Sequence, residues 1–139
     1  MSRPVGSKEA LVGRIVTSVV VDNALDPGKR IRFDALVDTG TSGLVLPSAW
    51  KDRLGSLAPA RRVQMETADQ RVIEDEVAGP VGIQIEGFDR VFNEVTFVQM
   101  RPEDGQFEPL VGYIVLEQSG AAVDMVGHRL VPVKHFDLK

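Results

Sequence analysis

The chain has 139 residues, a length that corresponds to a single domain or to one domain with short tails. Hydrophobic residues make up 43% and charged residues 26%, which is the balance of a globular protein with a core and not of a disordered chain. The net charge of −4 argues against nucleic acid or an anionic membrane surface as a partner, and the absence of cysteine excludes disulfides and thiolate metal sites.

No apolar stretch of the chain approaches the ~18–20 residues of a membrane span. The first ten residues, MSRPVGSKEA, have no apolar core after their positive charge, so they do not resemble a secretory signal. We therefore expect a soluble, cytoplasmic protein, and a chain trimmed of a signal or an anchor would look the same. The only histidines are His128 and His135, both near the C-terminus, so we expect neither a metal centre nor another cofactor.

The first third of the chain predicts two strands joined by a loop. Residues 1–10 are polar and are predicted to form a flexible N-terminal arm, ahead of a domain that covers residues 11–139. β-Branched residues dominate Leu11–Val21 and predict a strand or a bent pair, while Asp22–Arg30 has the composition of a hairpin loop. From Ile31 the chain alternates and then becomes wholly apolar, which is typical of a strand that passes from an edge into the core.

An aspartate ends that second strand, in the stretch FDALVDTGTSGLVLP (33–47). Burying the ionised carboxylate of Asp38 between two apolar runs is unfavourable unless hydrogen bonds compensate. The next residues supply candidate donors. Gly40 and Gly43 permit a tight turn whose backbone N–H groups can point at the carboxylate, and three residues add hydroxyl groups: Thr39, Thr41 and Ser42. The pattern predicts either an active-site carboxylate or a β-turn in which Asp38 only accepts bonds from neighbouring amides.

This stretch resembles the active-site signature of aspartic proteases, in which two apolar residues precede Asp-Thr-Gly-(Thr/Ser)-Ser and an apolar strand follows. The resemblance implies that Asp38, Thr39 and Gly40 are catalytic and that Thr41 and Ser42 contact the substrate.

The region after this loop predicts a short helix and then a hairpin. Pro47–Gly55 has proline near its start and glycine just past its end, and Trp50 is predicted to pack on the core.

Residues 62–77 alternate on both sides of a polar break and predict a β-hairpin. In aspartic proteases a hairpin here is the flap that folds over bound peptide, which implies substrate contacts at the tip from Thr67, Ala68, Asp69 and Gln70. This tip lacks the glycine usual in a flap, and the alternative interpretation is an ordinary surface hairpin.

The last third predicts further strands and one helix. The predicted elements are strands at Val81–Glu86 and Val91–Met100, a polar loop at Arg101–Pro109, a helix at Tyr113–Ser119 capped by Gly120, and strands at Ala121–Asp124 and Arg129–Val133. The segment PLVGYIVLEQSGAAVDMVGHRLVPV (109–133) resembles the second half of a retropepsin subunit, most closely in small bacterial members. That resemblance implies substrate contacts from Leu110, Val111 and Gly112, and an all-β, single-lobe closed β-barrel with one short C-terminal helix.

Carboxylate chemistry predicts the assembly. Hydrolysis of a peptide by carboxylates needs two of them that share a proton, one as base toward water and the other polarising the carbonyl. The chain has one Asp-Thr-Gly, and Asp22, Asp34 and Asp124 lack that context, so the second Asp38 must come from a second copy across a two-fold axis. The sequence thus predicts a homodimeric aspartic endopeptidase that acts on peptide or protein. The alternatives are a catalytically silent retropepsin-like binding or dimerisation module and a β-barrel domain unrelated to proteases.

The chain departs from viral retropepsins at one ion pair. Viral members typically continue the loop with Ala-Asp-Asp and carry Arg-Asp or Arg-Asn after the later glycine. Here those positions hold Thr41-Ser42-Gly43 and Tyr113-Ile114, so both charged partners are missing together and none is left unpaired. This predicts a dimer that is stabilised in a different way.

Overall fold

The computed structural model describes residues 14–66, 70 and 72–133. The predicted N-terminal arm, residues 1–10, and Thr67, Ala68 and Asp69 of the predicted flap tip lie outside these residues. In chain order the elements are β1 (Val16–Asn23), β2 (Asp26–Val37), β3 (Leu44–Pro47), a 3₁₀ helix (Ser48–Leu54), β4 (Ala58–Glu66), β5 (Val72–Ile85), β6 (Val91–Val98), β7 (Leu110–Val111), α1 (Tyr113–Ser119), β8 (Ala121–Asp124) and β9 (Arg129–Pro132). The prediction of a β-protein with one short C-terminal α-helix is confirmed.

The strands form a ring. Seven of them follow the order β1-β2-β7-β3-β6-β5-β4, and a second pairing of β1 with β5 closes six into a circuit, with β4 attached outside it to β5 alone. β7 runs parallel to β2 and antiparallel to β3, so it lies between the strands that enter and leave the Asp38 loop. β8 and β9 form a separate antiparallel pair.

Alternation along the strands places the core inside the ring. In β2, Ile31, Phe33 and Ala35 are buried while Arg32 and Asp34 between them are exposed, as period-2 patterning requires. The inward side chains of all six ring strands form one hydrophobic cluster. Leu54 of the 3₁₀ helix and Val115 and Leu116 of α1 belong to the same cluster. This rigid core holds both ends of the Asp38 loop.

The first loop is shorter than the sequence predicts. β2 begins at Asp26, so the turn occupies two residues instead of the whole of Asp22–Arg30. The side chain of buried Asn23 stabilises the tight turn, accepting a bond from Leu25 N–H at 2.9 Å and donating to the carbonyls of Leu54 and Ser56 at 2.9 and 2.8 Å. A single asparagine therefore joins the turn to the end of the 3₁₀ helix.

The predicted separate strand at Val81–Glu86 is the second half of β5. The strand continues through Gly79-Pro80, where its register against β6 shifts between Ala78 and Val81. Proline lacks an N–H and cannot take part in a regular ladder, and the local irregularity accommodates it without ending the strand.

The two predicted helices are confirmed with one refinement. Ser48–Leu54 is a 3₁₀ helix, and Trp50 on it packs against Phe33 and Phe107 with ring centroids 5.3 and 6.0 Å apart. Gly120 ends α1 in the left-handed conformation (φ 72°, ψ 33°), where a glycine avoids the strain of a Cβ. Within the described residues, neither helix has the length and apolar content needed to cross a membrane.

Candidate active site

Asp38 lies at the point where β2 leaves the core. Its N–H donates to the carbonyl of Val111 in β7 at 2.9 Å, and its carbonyl accepts the N–H of Thr41 at 3.1 Å. The first bond fixes the start of the loop on the ring, and the second closes a tight turn. The residue is half-buried, so its carboxylate reaches a surface while its backbone belongs to the core.

The carboxylate of Asp38 is held by two donors of its own loop. Gly40 N–H donates to Oδ1 at 3.0 Å, and the Thr41 hydroxyl donates to Oδ2 at 3.0 Å. Thr39 and Ser42 are exposed, and their hydroxyls are not among the contacts of Asp38 in the described chain. The loop therefore orients the carboxylate with one bond to each oxygen and leaves part of it open to a ligand.

A second segment supports the loop from beneath. Gly112 N–H donates to the carbonyl of Gly43, Tyr113 N–H to that of Thr41, and Ile114 N–H to that of Ser42, each at 2.9 Å. The three consecutive N–H groups include the first of α1, so the helix start is satisfied by the loop. The loop and this segment form one hydrogen-bonded unit.

Gly112 is required for this close approach. A Cβ at this position would lie 2.5 Å from the carbonyl carbon and oxygen of Ser42, well inside van der Waals contact. Of the residues for which the resemblance implies substrate contact, Val111 and Gly112 are buried under the loop and Leu110 is half-buried. Within one chain, Val111 and Gly112 hold the Asp38 loop in place through backbone hydrogen bonds.

The hairpin that resembles a flap is formed by β4 and β5. Its arms pair in continuous register from Arg61 opposite Val77 to Glu66 opposite Val72. Of the four predicted tip residues the structure describes Gln70, which is exposed and has a positive φ of 66°. A residue other than glycine thus adopts a backbone conformation that glycine favours.

Sequence reasoning missed the backbone acceptors of the site. The carbonyls of Val111, Gly43 and Pro109 fix the loop and the end of β2, and that of Ile15 accepts the N–H of Val37 at 2.8 Å. A backbone carbonyl occurs at every residue, so no residue type in the sequence marks these four. Across the described residues, no three His, Asp or Glu side chains are grouped as metal ligands would be.

Comparison with known proteins identifies the family of the chain and a structure of similar fold. The sequence model of the aspartyl protease family matches residues 18–115, a span that contains the Asp38 loop, the β4–β5 hairpin and Gly112. The chain belongs to the aspartyl protease family. Its fold resembles that of a retroviral (EIAV) protease solved in complex with the inhibitor HBY-793, with a TM-score of 0.56 and 20% identity over 80% of this chain and 92% of that one. No curated protein matches the chain.

Two uncharged residues, Tyr113 and Ile114, stand where the sequence comparison with viral retropepsins predicts the loss of an ion pair. Tyr113 and Ile114 are 44% and 36% exposed, on the first turn of α1 beside the loop residues to which their N–H groups donate. An uncharged surface therefore borders the Asp38 loop in this member of the family.

Proposed function

We propose that the protein is a homodimeric aspartic endopeptidase in which two Asp38 carboxylates, one from each subunit, activate a water molecule. The observation that carries this proposal is the carboxylate of Asp38, oriented by Gly40 N–H and the Thr41 hydroxyl and left partly open. Family membership and the retroviral fold support it.

The other aspartates that could be considered as partners have different surroundings. Arg90 binds Asp22 through two bonds of 2.6 and 3.0 Å. Asp124 accepts the N–H groups of Gly127 and Val126, and these bonds with that of Arg129 lower the pKa of its carboxyl. Asp34 is exposed on β2, away from the Asp38 loop at its end. A second copy of Asp38 is therefore the partner that we propose.

The chemistry follows from two carboxyl groups that share one proton. The ionised Asp38 takes a proton from water, and the water oxygen forms a bond to the carbonyl carbon of the peptide. The protonated Asp38 of the other copy gives its proton to the carbonyl oxygen. When the tetrahedral intermediate collapses, the C–N bond breaks and the amine leaves with a proton from the dyad. Thr39 and Gly40 are proposed to face the two-fold axis and the substrate.

The β4–β5 hairpin is proposed to act as the flap. Closure over bound peptide would exclude water from the dyad at the moment of attack. The catalytically silent module remains the competing function, and one experiment separates the two: incubation with a mixed peptide library, followed by mass spectrometry of new termini. Cleavage that a hydroxyl-containing transition-state mimic inhibits supports the enzyme, and absence of any new terminus with a folded dimer supports the module.

Dimerisation is predicted to depend on the apolar surface formed by Tyr113 and Ile114. We expect sedimentation equilibrium to show a species of twice 15.2 kDa at micromolar concentration. Ile114→Glu should weaken that dimer at least tenfold, because it would bring two carboxylates together near the proposed axis in place of apolar contact. The control is Leu25→Glu, which adds the same charge at a 77% exposed position. Leu25 lies in the turn between β1 and β2, at the end of β2 that is far from the Asp38 loop. Equal dimer affinity in both variants would contradict the proposed interface.

The hydroxyl of Thr41 is predicted to position Asp38. Thr41→Val keeps the shape of the side chain but removes the bond to Oδ2. A hydrogen bond to a charged group contributes ~1.5–3 kcal/mol, so we expect kcat/KM to fall by roughly 10- to 150-fold. Ser56→Ala, at an exposed position after the 3₁₀ helix and outside the Asp38 loop, should leave kcat/KM unchanged. If the two variants have the same activity, the Thr41 hydroxyl does not position the carboxylate.

A further inference from the structure

A buried carboxylate lies where the β4–β5 hairpin leaves the ring. β5 pairs with β6 as far as Glu76, which is opposite Phe97, and before that point it pairs only with β4. Asp75 is the first residue beyond this fork, and it is only 5% exposed. It lines a cavity of about 210 Å³ whose wall also includes Arg62 of β4 and Ser48 at the start of the 3₁₀ helix. We call this place the hairpin fork.

Asp75 is poorly suited to carry a charge at the hairpin fork. Its Oδ1 is inaccessible to solvent and has no hydrogen-bond partner in the described part of the chain. Taking an ionised carboxylate out of water without a compensating partner is strongly unfavourable. Burial therefore raises the pKa of the Asp75 carboxyl above its ordinary value.

The charged neighbours at the fork do not reverse this effect. Arg62 of β4 forms an ion pair with Glu74 at 2.7 Å, and Lys51 of the 3₁₀ helix forms one with Glu76. Arg62 and Lys51 are thus engaged with the two glutamates that flank Asp75 on β5. Phe97 of β6 and Gln99, which follows the last residue of that strand, are not titratable. The surrounding charges cancel in pairs, and desolvation decides the state of Asp75.

We propose that Asp75 is a proton-binding site that couples pH to the packing of the β4–β5 hairpin on the ring. With its proton, the carboxyl is neutral and the fork stays packed. Without it, the charge is stabilised when the fork opens and admits water. The native state binds this proton more tightly than the unfolded chain does, so the linked stability is present at low pH and is lost as pH rises through the folded pKa.

The coupling bears on catalysis through the hairpin. If the hairpin is a flap, the same proton strengthens its closure at acidic pH, and this effect on closure alone rests on the proposed function. The proton linkage itself rests on burial, the orphaned oxygen and the fork, so it can be tested on an inactive chain.

The test compares Asp75→Asn with Asp34→Asn, the same substitution at an exposed site on β2. Both are made in an Asp38→Asn chain, so that the active-site carboxylate does not titrate. Urea unfolding and hydrogen exchange of residues 61–64 and 74–77 are measured from pH 4.5 to 7.5. We expect Asp75→Asn to raise protection of the hairpin at pH 7.5, about tenfold for each unit by which folding raises the pKa, and to flatten its pH dependence. Asp34→Asn should behave as the parent.

The titration of Asp75 provides an independent measurement that needs no variant at this position. Its side-chain carboxyl carbon, followed by NMR in the parent chain, should titrate above the range of the exposed aspartates. A titration within that range overturns the proposal, as does hairpin exchange that Asp75→Asn leaves unchanged at pH 7.5. Peptide cleavage by the chain with native Asp38 is assayed separately. Its absence would refute the proposed enzyme and leave the proton linkage standing.

Discussion

Asp38→Asn is expected to reduce peptide hydrolysis by roughly 10²- to 10⁴-fold or more, because the variant cannot share a proton between two carboxyl groups. The amide has the shape of the carboxylate and can still accept the Gly40 N–H, so the loop should keep its conformation. Cleavage of peptide is measured by mass spectrometry, with circular dichroism and sedimentation to show that the fold and the dimer persist. A purified variant that cleaves at nearly the native rate would place the chemistry elsewhere.

Mixing the two chains tests whether catalysis needs both copies of Asp38. When native chain exchanges subunits with an excess of Asp38→Asn chain, nearly every native subunit enters a dimer with one carboxylate. We then expect activity to fall far below that of the same amount of native chain alone. Activity that depends only on the amount of native chain would show that one Asp38 is sufficient and would contradict the two-carboxylate mechanism.

Gly112→Ala is expected to have the largest effect on the structure of the site. The added Cβ would meet the Ser42 carbonyl at 2.5 Å, so either the loop or the start of α1 must move. Movement would break the bonds that Gly112 and Tyr113 donate to Gly43 and Thr41. We expect the free energy of unfolding to fall by ~1–3 kcal/mol, the usual effect of overpacking, and activity to fall with it. Urea unfolding measures the free energy of unfolding, hydrogen exchange at Tyr113 and Ile114 measures the loss of their bonds to the loop, and peptide cleavage measures the activity.

The matched control for Gly112 lies in the same loop. A Cβ at Gly43 would have no atom within 4 Å, and Gly43 does not have a positive φ. Gly43→Ala should therefore change the free energy of unfolding by no more than about 0.5 kcal/mol. If the two variants lose equal stability, the loop rejects any added methyl group and the close approach at Gly112 is not the cause.

The sequence alone determined the features that depend on neighbouring residues. The alternation of Ile31, Phe33 and Ala35 predicted the strand that leads into Asp38, because period-2 burial is a local property. Gly120 predicted the end of α1, since a left-handed cap is also local. Asp38-Thr39-Gly40 pointed to the family, which the family match confirms. Each of these signals lies within a few residues of the feature that it predicts.

The tertiary structure decided what depends on distant residues. The pairing of β1 with β5 closes the ring, and the Val111 carbonyl anchors Asp38, yet both are backbone interactions that no side chain specifies. The continuity of β5 through Pro80 was missed because a proline in a sequence resembles a break, and only its neighbours in space show a register shift. Asp75 stands between Glu74 and Glu76, in a run that by composition belongs on a surface. It is buried among residues that are distant in the sequence, including Ser48, Arg62 and Phe97, and burial depends on what packs against a residue, which local sequence does not encode.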